Sequence, residues 1–440
     1  MMKRITLVVC VISCWVSQAL AEPLTLPDAF EKALAKNPSI AAVAERVNQA
    51  RERVVQARAG YFPQLDFSTA AARKQLSRNE NETSGLSRNY ETYEGFFTAS
   101  WVLFSGFSRQ YELKAAEIDR DREIQEHADT IRTLLAAVAA SFHTAQLALA
   151  NQFIAESNRD FYATQLETAR IKQKAGVGSL SDVLNFNTRM NQAGIEVAKY
   201  QTDYDVARAA LAALLGEDAG KGELPEPVFP KPEDAADMSV PDPAVEIDAA
   251  LSLRPDLRRQ ALAVDSARAE AGAARASFYP EISLSGSIGA DRTNSAGFGS
   301  DDIENTLGIE LSYPLFDGGE DRAALREALS DAVEAEMTLK NLKNEIISQV
   351  RQDCFSVASA QEQLHLYREN AVLARQNRDM VAKAYEYGTA NLVTLNEVQN
   401  TLTETRQRIA LSLITLRQAR FELQASTGTI YEGKVTAKFK

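Results

Sequence analysis

With 440 residues, 45% of them hydrophobic, the chain is long enough for two or three ordinary domains, and a mean hydropathy of −0.26 excludes a bundle of transmembrane helices. Its 60 Asp and Glu against 48 Lys and Arg leave a net charge of −12. That balance argues against nucleic acid as a partner and against a polybasic membrane-surface binder, since both need clustered cations.

The N-terminus reads as a secretory signal over 1–21: Lys3 and Arg4, an apolar core from Ile5 to Val16, and the small-x-small site Ala19-Leu20-Ala21. A second reading stands beside it, lipid attachment at Cys14 within Val11-Ile12-Ser13-Cys14. Cleavage after Ala21 removes Cys10 and Cys14 and leaves Cys354 alone, so no intrachain disulfide is expected.

Residues 25–60 read as a helix, kinked or split at Asn37-Pro38 and ended by Tyr61-Phe62-Pro63. Residues ~64–76 and ~91–104 alternate apolar and polar with strand period, around a polar connection. From 107 to 175 there is neither glycine nor proline, and Ile124, Ile131, Val138 and Ala145 recur at sevenfold spacing flanked by Leu135, Phe142 and Leu149. At 1.5 Å per residue such a helix spans roughly 100 Å. Gly176-Val177-Gly178-Ser179 breaks it, and 180–215 returns to Gly216. Residues 217–243 hold six prolines and many acids, a linker composition.

The order then repeats. Arg254-Pro255-Asp256 opens a helix that ends at Phe278-Tyr279-Pro280; strands follow at ~281–294 and ~305–316, and a second long helix at ~320–387 carries Val350, Val357, Leu364 and Ala371. Pro38 to Pro255 and Pro63 to Pro280 are both 217 apart; Gly106 to Gly318, Gly176 to Gly388 and Gly216 to Gly428 are all 212 apart. The change of five falls between the strands, where loops absorb length. The chain thus divides into 1–21, a first repeat over 22–216, a linker over 217–243, a second repeat over 244–428 and a tail over 429–440. Four strands of this length suit an outer membrane but cannot close a barrel, and lipid tolerates no open edge. Several chains must therefore share one barrel; three would supply twelve strands, above the eight of the smallest common barrels, with two or four chains as the alternatives.

This duplicated order resembles the TolC-like outer-membrane efflux and secretion channels, over essentially all of the mature chain. The matching pieces are Arg254-Pro255-Asp256-Leu257, Ala273-Ala274-Arg275-Ala276 leading into Tyr279-Pro280, Phe316-Asp317-Gly318-Gly319, and the paired turns Gly176-Val177-Gly178-Ser179-Leu180 and Tyr387-Gly388-Thr389-Ala390-Asn391-Leu392. The resemblance implies a mainly α fold with a β membrane part: duplicated long helical hairpins forming a periplasmic α-barrel, and four strands per chain in a twelve-stranded trimeric β-barrel. It implies a homotrimer in the outer-membrane lipid of a Gram-negative-type cell, reaching into the periplasm. Its partners would be a periplasmic adapter (membrane fusion) protein and an inner-membrane pump of RND, ABC or MFS type. Small molecules would leave through it, or proteins by type I secretion.

Two groups of residues follow from the resemblance. Gly176, Val177, Gly178, Ser179, Leu180, Gly388, Asn391 and Leu392 form the tips where an adapter would dock; the bland reading is a pair of ordinary helix hairpins. Asp182, Tyr385, Thr394 and Glu397 flank the tips where a periplasmic gate would close. Thr394 stands where an acid can occur and Ala390 where a base can, which weakens the expected latch. Asp182 equally fits a helix cap. His127, His143 and His365 lack metal-ligand spacing, residues 216–221 fall one residue short of a phosphate loop, and no serine sits in a nucleophile elbow. No enzyme activity, metal or cofactor is expected. The competing reading is a periplasmic structural or adapter protein built on helical hairpins.

Overall fold

The computed structural model describes residues 24–75, 89–217 and 239–431. The leader over 1–21 with Cys14, the connection at 76–88, most of the proline-rich linker and the tail beyond 431 lie outside the described residues.

Thr25 begins the first helix with a capping box, its hydroxyl accepting the Asp28 amide while Asp28 reaches back to the Thr25 amide. Helix α1 (Leu26–Lys36) stops because Asn37, preceding a proline, is held extended (φ −67°, ψ 122°). Helix α2 (Pro38–Ala59) restarts at Pro38, so the expected kink is a full break. Strands β1 (Gln64–Gln75) and β2 (Asn89–Ser105) follow, then α3 (Ser108–Lys174) and α4 (Leu180–Leu214). The second set is α5 (Pro243–Leu253), α6 (Pro255–Ala274), β3 (Glu281–Thr293), β4 (Ile303–Ser312), α7 (Glu320–Glu386) and α8 (Leu392–Thr427). Strand β4 ends at Ser312, short of the expected 316, because Pro314 has no N–H to give a ladder. Helices α3 and α7 are both 67 residues long. The sevenfold spacing marks their buried stripe: Ile131, Val138 and Ala145 in α3, and Val350, Val357 and Leu364 in α7, are all buried. Cys354 is buried on the same face of α7.

The four strands form one antiparallel sheet in the order β1-β2-β3-β4. The central β2–β3 ladder joins the two repeats, with Phe97 opposite Ile288 and Ser100 opposite Ser285, and a bulge between Val102 and Phe104. The register sorts side chains by face. Leu65, Phe67, Phe97, Trp101, Leu284, Ile288, Leu307 and Ile309 share one face; Asp66, Ser68, Thr98, Ser100, Ser283, Ser285, Ser287 and Thr306 share the other. Phe67 and Phe97 touch across strands with ring centroids 4.7 Å apart. Both edges, β1 and β4, lack a second neighbour among the described residues. The sheet therefore has one apolar face, one largely polar face that also carries Phe96 and Val102, and two open edges among the described residues.

Compactness divides the chain into two units. One contains α1, the later half of α3, α4, the later half of α7 and most of α8. Its core clusters around Tyr162, Leu166, Phe186 and Leu395, where full burial of a side chain such as Phe186 stabilises by roughly 2–3 kcal/mol. The other contains α2, the sheet, α5, α6, the first parts of α3 and α7, and the end of α8.

In that second unit Arg254 and Asp256 form a buried bidentate pair at 2.6 and 3.0 Å. Arg254 Nη1 also donates to the Ser426 carbonyl (3.1 Å) and Gln349 Oε1 (3.3 Å). Burial pushes the Asp256 carboxyl up, but hydrogen bonds and charge from Arg254, with charge from Arg132, hold it below its ordinary value. Asp353 is opposite: burial raises it, a Ser426 hydrogen bond offsets part, and its Oδ2 has no partner among the described residues.

Candidate functional site at the helix turns

The turns are built from helix-end chemistry. Helix α3 closes in a Schellman motif: the Val177 amide donates to the Lys172 carbonyl and the Gly176 amide to that of Gln173, both at 3.0 Å, with Gly176 left-handed (φ +76°). Helix α7 ends the same way. The Thr389 amide donates to the Ala384 carbonyl (2.8 Å) and the Gly388 amide to that of Tyr385 (3.1 Å), with Gly388 at φ +78°. Gly178 lies against the backbone of Lys172 and Gln173, where a Cβ has no room.

The return helices start with side-chain caps. Ser179 accepts the Ser181 amide at 3.0 Å. Asn391 Oδ1 accepts the amide and hydroxyl of Thr394 at 2.8 and 3.0 Å. The cap on α4 is thus Ser179, which frees Asp182 for another partner. Val177 and Leu180 stand exposed at the first turn, and Val177 keeps 79% of its surface open. Leu392 instead packs half-buried on the Tyr162–Phe186 core.

Beneath the turns, Tyr385 of α7 donates its hydroxyl to Asp182 Oδ2 of α4 across 2.9 Å. Its ring meets Phe186 edge-on at 6.0 Å and carries the Lys172 ammonium 5.5 Å from its centroid. Lys172 Nζ also donates to the Glu386 carbonyl at 3.3 Å. Burial, then the bond to Asp182, pushes the Tyr385 phenol well above its ordinary value, so it remains a donor at any physiological pH. Of the expected gate residues, Asp182 and Tyr385 are joined. Thr394 is committed to Asn391. Glu397 is exposed, and its carboxylate makes no hydrogen bond or ion pair with any described residue.

Sequence reasoning missed a polar ladder deeper in the same unit. Asn396 donates to Asn185 Oδ1 at 2.9 Å, and Gln399 and Thr403 converge on Asn158 Oδ1 at 2.9 and 3.2 Å. The signal was present: Asn396, Gln399 and Thr403 lie at i, i+3 and i+7 among the buried Leu395, Val398 and Leu402. Such polar contacts between packed helices favour one register over its slipped alternatives. Among the described residues no group of His, Cys, Asp or Glu is placed to hold a metal ion.

The duplicated hairpins and the amphipathic four-stranded sheet define an outer-membrane channel protein. A family model described as "Outer membrane efflux protein" matches residues 29–217 and 247–429. The chain belongs to the outer membrane efflux protein family. It is 26% identical over 417 residues to the pyoverdine export outer membrane protein OpmQ of Pseudomonas aeruginosa, covering 92% of this chain and 83% of that one. It is 27% identical over 386 residues to the alkaline protease secretion protein AprF of the same organism, covering 86% and 79%. The CmeC outer membrane channel of Campylobacter jejuni shares its fold with a TM-score of 0.80 at 13% identity, covering 92% and 85%. The protein is an outer-membrane component reaching into the periplasm, in a family of channels rather than enzymes. The free periplasmic adapter reading is thereby set aside.

Proposed function

We propose that three copies close their sheets into one twelve-stranded barrel, and that the protein is the exit duct of an efflux or secretion system. The observation carrying this is the sheet: one apolar face, one largely polar face and two open edges. An apolar face meets lipid and a polar face lines a water-filled lumen. Open edges are not tolerated in lipid, so copies must supply one another's missing neighbours. Residues 22–216 and 244–428 are the two repeats, preceded by a leader and joined by the linker. A periplasmic adapter docks at the turns around Gly176–Leu180 and Gly388–Leu392, coupling the duct to an inner-membrane pump. The Asp182–Tyr385 bond, with Glu397 as an acidic ring, forms the gate. The names of OpmQ and AprF indicate two kinds of cargo, a small molecule and a protein. Light scattering of the detergent-solubilised particle tests the assembly: about three chain masses are expected, and one chain mass would sink the reading.

A further inference from the structure

A pocket of about 400 Å³ opens between α2, α3 and α6, within the second unit. Helix spacing builds its walls. Val43, Val47, Ala50 and Val54 bury the apolar stripe of α2, which leaves Arg46 and Arg53 beside it, two turns apart on one side of the helix. On α3, Asp119, Arg122 and Glu126 lie on the side away from the buried Ile131 and Val138. Helix α6 is held close enough to complete the wall. The Tyr111 ring fills the space a side chain at Gly272 would need, and Ser266 Oγ donates to Asp119 Oδ1 at 3.3 Å.

The lining carries charges of both signs, and they do not all find partners. Arg122 Nη1 donates to Asp119 Oδ1 at 2.8 Å, and Arg259 pairs with Glu126, so these two carboxylates are neutralised by their own arginines. Arg46, Arg53 and Glu123 make no hydrogen bond or ion pair with any described residue. Arg122 Nε is buried and has no hydrogen-bond partner among the described residues. Such a donor is costly to bury without an acceptor. Two free guanidiniums and one orphaned N–H stand against a single uncommitted carboxylate. The pocket is short of negative charge, in a chain whose net charge is −12.

We propose that this pocket binds a small oxyanion, a phosphate or carboxylate group, gripped by Arg46 and Arg53 and accepting the Arg122 Nε–H. Guanidinium forks match the paired oxygens of such groups and form charge-assisted hydrogen bonds, the stronger class. About 400 Å³ holds a small organic acid or phosphate ester as well as the free ion. The recognition chemistry is the same whether the oxyanion is a free ion or a group on a solute in transit. The second source rests on the duct reading above; the pocket lies within one chain and stands without it.

Calorimetric titration of the detergent-solubilised full-length protein with inorganic phosphate, and separately with citrate, tests the site. Phosphate binding identifies a site that takes the free ion; citrate binding alone identifies one that takes an organic polyacid. Arg46→Gln with Arg53→Gln should weaken binding at least about tenfold, through loss of two charge-assisted hydrogen bonds. Glu123→Gln should tighten it about two- to fivefold, by removing the uncommitted negative charge. Arg51→Gln, on the same helix but outside the pocket, should change nothing. Failure of both probes to bind, or binding that the double variant retains, overturns the proposal. A particle of three-chain mass without anion binding removes the site and leaves the assembly; a particle of one-chain mass that binds the anion does the reverse.

Discussion

Arg254 Nη1 donates to the carbonyl of Ser426 across 3.1 Å, fastening the end of the last return helix to the start of α6. The equivalent position in the first repeat is Asn37, whose side-chain Nδ2 donates to the Leu214 carbonyl across 2.8 Å. One site, used twice, ties off a helix whose last carbonyls have no internal donors. The two versions differ in charge, because Arg254 also carries the buried Asp256.

Replacing Arg254 with Ala removes the clamp and strands the Asp256 carboxylate in the interior. A loss of about 3 kcal/mol is expected, read as a lower thermal midpoint in detergent. Asn37→Ala loses one neutral hydrogen bond and should cost only about 1 kcal/mol. Arg254→Ala with Asp256→Ala should recover part of the larger loss.

Asp256 and Asp353 respond to pH with opposite signs. Asp256 is held below its ordinary 3.8, so its contribution is complete at neutral pH and is lost as pH falls from about 3.8 through its lowered value. Asp353 is raised above 3.8, so its contribution is full below 3.8 and is lost as pH rises through its raised value. Asp353→Asn should therefore raise the thermal midpoint at pH 7, with the gain fading toward pH 3. An equal gain at both pH values would contradict this.

The Tyr385–Asp182 bond joins a neutral donor to a carboxylate, a contact whose loss costs about 2 kcal/mol. Tyr385→Phe keeps the ring against Phe186 but cannot donate. In planar bilayers it should raise the open probability at neutral pH relative to wild type, and an unchanged open probability would remove this bond from the gate.

Glu397 has an exposed carboxylate free to bind cations. Glu397→Ala should weaken block by divalent cations from the periplasmic side of a bilayer, with single-channel conductance in monovalent salt little changed. Unaltered block retires its assignment to the gate.

Val177 is the most exposed apolar residue of the first turn. Val177→Asp should leave the particle's mass and thermal midpoint unchanged yet abolish export by the intact system. Normal export by this variant would separate the turn from adapter docking.

Much of the fold was legible because its signals are local. The glycine-free and proline-free runs, the sevenfold apolar spacing, and the aromatic-proline pair before the first strand of each repeat set the long helices and the sheet. The glycine breaks at 176 and 388 were equally plain. What stayed hidden depends on distant partners. Nothing in the alternation of β2 reveals that its partner is β3 from the other repeat, nor the bulge near Phe104. Arg254 was readable as part of a recurrent motif, but its hold on Ser426 exists only once α8 returns. Asn185 and Asn396 gave a weak sign, polar residues among apolar neighbours, with no indication of which would meet.

The Gly272–Tyr111 contact shows how far the two halves have diverged. A chain built from two copies of the first half would place a valine, the counterpart Val55, where Gly272 stands, and drive it into the ring of Tyr111. The halves repeat one another in order, yet they are no longer interchangeable.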